Sequence, residues 1–170
     1  PEYFKAQGNQ TPYDVVMLEY GTNEGNQKPF DAGSYESELN ASLKNMRAIY
    51  PKALCVLIGP TDRGILVARP APPKGKTTKA PAQTASKVDL LQYSRIHAEI
   101  SRIQQKVGEQ YACSFWNWQQ AMEGPGGSYA WLKKNPPLMA RDLIHLTVPG
   151  YQESARLFSS DMGLGKAFGK

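Results

Sequence analysis

Long apolar runs, cysteines and histidines are all scarce in this chain, and each shortage removes a class of protein. The longest apolar stretches, 15–18 and 54–58, are far too short to cross a bilayer. Two cysteines, Cys55 and Cys113, are too few for a disulfide framework. Both fall in strand-like segments and read as buried free thiols, and the count leaves the compartment open. Pro1 carries no initiator Met, no basic n-region and no cleavage pattern, so a mature or truncated start is expected. Also missing are a Gly-x-Ser-x-Gly elbow and any Gly-Asp-Ser sequence, so no serine stands in a nucleophile setting. Ser34, Ser114 and Ser128 read as cap or loop residues.

What is present suits one globular domain: 170 residues, 41% hydrophobic and 21% charged, enough for a sizeable core. The net charge of +5 invites a nucleic-acid reading. That charge is confined to 62–87, where Arg63, Arg69, Lys74, Lys76, Lys79 and Lys87 face one acid, Asp62. A basic stretch rich in Pro, Lys, Thr and Ala cannot bury enough apolar surface to offset its ordering entropy. It reads as a flexible insert in a loop, and no nucleic-acid partner is expected. Contact with an anionic polymer surface stays open.

The apolar run over 13–20 has the form of a strand buried on both faces of a parallel sheet. A helix is predicted over 36–49, with Leu39, Leu43, Met46 and Ile49 on one face and Pro51 ending it. A second strand follows over 53–59. A long helix spans 88–107, its buried side marked by Leu91, Ile96, Ile100, Ile103 and Val107, and a third strand covers 111–116. A short helix lies near 129–133. The last helix opens near Pro149 with Thr147 as its N-cap. Strand–helix alternation with long crossovers gives an α/β three-layer sandwich with a parallel sheet. Three strands make a thin sheet, and a doubly wound domain would supply about two more before Pro1.

Ligands of open α/β sheets bind beyond the carboxyl ends of the strands. Gly21-Thr22-Asn23-Glu24 lies at that edge. Alone it is either a turn or an oxyanion donor, since Gly and Asn favour turns and the Asn23 amide can also face a developing charge. His97, inside the long helix, reads as a surface or core-edge residue. His145 stands in a polar loop three residues after Asp142, a spacing that lets the carboxylate hold Nδ1–H and leaves Nε2 as a general base.

Two segments, VVMLEYGTNEGN and RDLIHLTVPGYQESARLF, resemble the third and fifth conserved blocks of the SGNH (GDSL-type) hydrolases, with Glu24 where Asp is commoner. The intervening CSFWNWQQAMEGPGGSYAW resembles bacterial cell-envelope esterases that remove O-acetyl groups from peptidoglycan. The resemblance covers nearly the whole chain outside the basic insert. It implies a flavodoxin-like fold, with Asn23 as oxyanion donor on a turn supported by Gly21, His145 as general base and Asp142 as its orienting partner. The family's serine block and second-block glycine precede the third block, so an N-terminal segment or companion chain is the expected partner supplying the nucleophile. In some relatives a carbohydrate-binding β-module is inserted just there.

The resemblance implies a carbohydrate or peptidoglycan O-acetylesterase acting on an acylated glycan, secreted, periplasmic or in the cell envelope, with no metal or cofactor. A non-catalytic glycan-binding module on a degenerate SGNH fold is the alternative. Trp116, Trp118, Tyr129 and Trp131 offer a sugar-stacking rim, with at least two of the four expected to pack in the core instead.

Overall fold

The computed structural model describes residues 13–27, 29–67 and 88–164. Three strands, β1 (Val15–Glu19), β2 (Leu54–Ile58) and β3 (Cys113–Trp116), form a parallel sheet in the order β1-β2-β3. Helix α1 (Ala32–Ile49) joins β1 to β2, and α2 (Gln92–Gln110) joins β2 to β3. Two short helices follow, α3 (Trp118–Ala121) and α4 (Gly127–Leu132), and then the closing helix α5 (Val148–Asp161). Strand order and crossovers match the expected α/β sandwich. Among the described residues no helix is long and apolar enough to cross a membrane.

Alternation along the strands sorts side chains into layers. Leu18, Cys55, Leu57 and Cys113 point to the face covered by α1 and α2, where Leu39, Leu43, Met46, Ile100, Ile103 and Val107 complete the main core. Trp116 points the opposite way. It is buried there against Phe158 of α5, ring centroids 5.0 Å apart, and its indole N–H donates to Asp161 Oδ2 at 2.9 Å. A second cluster of Met122, Trp131, Met139, Leu143 and Leu146 gathers the irregular segments after β3.

Helix ends follow local chemistry. Helix α1 begins earlier than the hydrophobic pattern suggests because the Asp31 carboxylate accepts the Ser34 N–H at 2.9 Å. Thr147 caps α5 as expected, its Oγ1 accepting the Gly150 N–H at 3.2 Å. Helix α2 starts later than expected, with Leu91 at its N-cap. Its buried face carries a polar stripe, Ser94, His97, Ser101 and Gln104, beside the apolar one.

Three expectations are corrected. Cys55 and Cys113 are disulfide-bonded, not free thiols. They are register partners on adjacent parallel strands, with Cα atoms 4.5 Å apart, and that proximity cannot be read from two cysteines 58 residues apart. The segment expected to be a flexible insert from residue 62 is anchored over 62–65, where Asp62 is completely buried and Arg63, Gly64 and Ile65 make hydrogen bonds; residues 68–87 lie outside the described ones. Finally, β1 is covered on one face only. Val15 and Met17 are exposed on the other, and no described strand pairs with the outer edge of β1.

The cross-strand bridge closes a long loop, which in the chain-entropy account stabilises the fold by about 4 kcal/mol. The double substitution Cys55→Ala, Cys113→Ala, or reduction of the native protein, is expected to lower the urea midpoint correspondingly. Coincident unfolding curves with and without reductant would show the bridge to be energetically idle.

Candidate active site

The chain leaves β1 through Tyr20 into a tight turn. Gly21 is buried at φ +108°, a conformation that disfavours any side chain, and a Cβ there would lie 2.5 Å from Ile100 Cγ2. The turn is held by Gly25 N–H donating to Gly21 O at 2.9 Å and by Gly21 N–H donating to Glu24 Oε2 at 3.0 Å. Glu24 is therefore a brace for the turn, its carboxylate reaching back to the backbone that presents Asn23. Burial, and secondarily the Glu24 charge, push the neighbouring Tyr20 and Tyr35 phenols up, keeping both neutral. Asn23 opens the short 3-10 turn Glu24–Asn26 but spends no side-chain bond on capping it, and its side chain is exposed.

The second component is built after α4. Met139 and Leu146 form an antiparallel bridge, and Ala140 N–H donates to His145 O at 2.8 Å, closing a loop around residues 141–144. Within it Asp142 accepts three bonds. Its Oδ1 takes the backbone N–H groups of Ile144 at 2.9 Å and His145 at 3.0 Å, and its Oδ2 takes His145 Nδ1 at 2.7 Å. The His145 bond first, and then the two backbone bonds, pull the Asp142 carboxyl down to about 2. Because a carboxylate only accepts, Nδ1 carries the proton and Nε2 is the basic nitrogen. The His145 side chain is 71% exposed, so that nitrogen is open to a substrate.

Leu143 makes the loop possible. It adopts φ +60°, unusual for a branched residue, while its side chain is buried in the second cluster. Its carbonyl accepts Gly64 N–H at 3.0 Å, tying the histidine loop to the segment after β2. Gly64 is packed so closely that a Cβ would meet Tyr129, Ser128 and Leu143 at 2.9–3.1 Å.

The two components meet in one cleft of about 280 Å³, whose walls include Asn23, Thr61, Arg63, Trp118, His145 and Tyr151. Among the described residues no three of His, Cys, Asp and Glu gather as metal ligands. Of the four aromatics offered as a rim, one lines the cleft, beside Tyr151. Trp116 and Trp131 are buried, Tyr129 donates and accepts around Ile65 and Leu90, and only Trp118 reaches the cleft, its N–H donating to Ser154 Oγ at 3.0 Å. Ser34 lies in the first turn of α1, Ser114 on the outer face of β3 and Ser128 buried in α4, and none lines the cleft. His97, expected at a surface or core edge, is fully buried, and its Nδ1–H donates to Thr61 O at 2.6 Å. Burial holds its pKa below the ordinary imidazole value. Sequence reasoning missed Arg63, whose place in a basic stretch gave it the look of a solvated charge.

No protein-family profile and no curated protein sequence matches this chain. Solved structures do. A peptidoglycan O-acetylesterase superposes with a TM-score of 0.64 at 24% identity over 88% of this chain. A protein described as a GDSL-like lipase, from Parabacteroides merdae, superposes with a TM-score of 0.61 at 18% identity over 89%. The fold is that of the SGNH (GDSL-type) hydrolases. The chain spans only 37% and 61% of the lengths of these two neighbours. At such identities the likeness carries the fold alone and leaves activity and substrate to be argued from the residues.

Two outcomes follow from this geometry. In a carbon-detected NMR titration, Asp142 is expected to deprotonate near pH 2, so its grip on His145 is intact above the ordinary carboxyl range and is lost as pH falls through 2; a midpoint near 3.8 would mean the three bonds are not formed in solution. Gly21→Ala combines a backbone penalty with a clash against Ile100 and is expected to cost at least about 1–3 kcal/mol, seen as a lowered Tm.

Proposed function

We propose that this chain carries the oxyanion and acid–base half of an SGNH-type serine esterase, whose nucleophile comes from an N-terminal segment or companion chain. The observation that carries the reading is the meeting of Asn23 and His145, far apart in sequence, in one cleft. Among the described residues no strand pairs with the outer edge of β1, and Val15 and Met17 are exposed; both support the reading, since parallel sheets are ordinarily buried on both faces, and a further strand with its crossover helix would pair that edge and cover that face.

In this mechanism the serine Oγ attacks the ester carbonyl while His145 Nε2 takes its proton. Asp142 holds the imidazole in the productive tautomer and stabilises the imidazolium. The tetrahedral oxyanion accepts a hydrogen bond from the Asn23 amide, a contribution of roughly 3 kcal/mol for one well-aimed donor. On collapse the ester C–O bond breaks as His145 gives its proton to the departing oxygen, which leaves as the alcohol; water, deprotonated by His145, then attacks the acyl-enzyme, and the serine leaves with that proton.

An acylated glycan is the proposed substrate, with Trp118 as the stacking surface. A cell-envelope, periplasmic or secreted setting is proposed on the disulfide, which persists in oxidising compartments.

The test pairs fluorophosphonate labelling with turnover of an acetylated glycan by the chain together with its upstream or companion segment. The expected result is a labelled serine outside these 170 residues. Asn23→Ala is expected to lower kcat about a hundredfold, and His145→Ala by about 10⁴-fold or more. Absence of label together with measurable glycan binding would favour the non-catalytic module, and full activity in His145→Ala would sink the mechanism.

A further inference from the structure

The cleft contains a cation that the ester mechanism does not use. Arg63 lines the same wall system as Asn23 and His145. Its guanidinium lies over the Tyr93 ring, 4.2 Å from the centroid, and its Nε is buried with no hydrogen-bond acceptor. Among the described residues it enters no ion pair.

The backbone beneath it is locked on both sides. The fully buried Asp62 accepts Gln119 Nε2 at 2.8 Å and Ser128 N–H at 2.9 Å, the Arg63 carbonyl accepts Ser94 Oγ at 3.2 Å, and Gly64 N–H donates to Leu143 O at 3.0 Å. That last bond joins Arg63 to the loop that carries His145. The guanidinium is thus held in a set relation to the proposed base, with one face against the ring and no ion pair among the described residues.

We propose that Arg63 forms an anion subsite within the cleft, selecting substrates that carry a carboxylate. The planar fork of a guanidinium matches a carboxylate edge-on through two parallel N–H donors, and stacking on an aromatic face leaves that edge available. The acidic groups at the cleft do not take this role. Asp142 is occupied by His145 and two backbone N–H groups, and Glu19 lines the cleft without approaching Arg63 to ion-pair distance.

The assignment takes the cleft to be the ester site proposed above, but its test reads binding without turnover. Amide-resolved NMR titrations of the 170-residue chain are compared for N-acetylmuramic acid and the neutral primary amide of the same sugar. The native chain is expected to prefer the acid. In Arg63→Gln the acid-to-amide affinity ratio is expected to fall about tenfold, and Arg63→Lys, which keeps the charge but loses the fork, is expected to fall between the two. Equal binding of both probes by the native chain, no binding of the acid, or a ratio unchanged in Arg63→Gln each overturns the assignment. An intact acid preference in a protein that never hydrolyses esters would instead count against the esterase reading alone.

Discussion

The polar stripe along α2 is the constraint on which the cleft depends. Loops leaving a parallel sheet at its carboxyl end bring backbone carbonyls against the crossover helix, where water does not reach, and each needs a donor. Gln104 Nε2 supplies one to Tyr20 O at 2.8 Å, His97 Nδ1–H one to Thr61 O, and Ser94 Oγ one to Arg63 O. The first holds the chain immediately before the Asn23 turn, and the other two hold the segment that becomes the Arg63 wall. An apolar helix would pack against the sheet as well but would leave these carbonyls unsatisfied. Gly25 fits the same arrangement, since a Cβ there would lie 2.5 Å from the His97 ring.

A second anchoring system holds the histidine. His145 is largely exposed and Asp142 half-buried, and neither could keep its geometry by packing of its own. Leu143, between them, is buried in the second cluster and carries the strained φ, while Gly64 fixes its carbonyl. The apolar residue absorbs the conformational cost and the polar residues remain accessible. The buried Asp62, bonded to Gln119 and Ser128, then ties the post-β2 segment to α3 and α4. The two halves of the cleft are thereby referred to a common frame.

Much of this was legible in the chain because its signals are local. The helical spacing of Leu39, Leu43 and Met46, the Thr147 cap and the three-residue step from Asp142 to His145 depend on neighbours within one or two turns. The errors share another cause. The Cys55–Cys113 bridge depends on strand register; that at least two of the four rim aromatics would pack inside was expected, but that Trp116 and Trp131 are among them depends on which layer lies above each ring. Asp62 and Arg63 looked like solvated charges because their partners, Gln119, Ser128 and Tyr93, come from segments that become adjacent only on folding.

The sequence by itself determined the element order, the crossover topology and the chemical identity of a turn amide and a carboxylate–imidazole pair, because backbone propensity and short-range hydrogen bonding act over a few residues. Only the tertiary structure decided that Asn23, His145, Trp118 and Arg63 share one cleft, that the cysteines are joined and that Val15 and Met17 of β1 are exposed, with no strand among the described residues paired to its outer edge. Those outcomes rest on layer packing and strand register, which are set by the whole core at once and leave no signature in any one stretch of the chain.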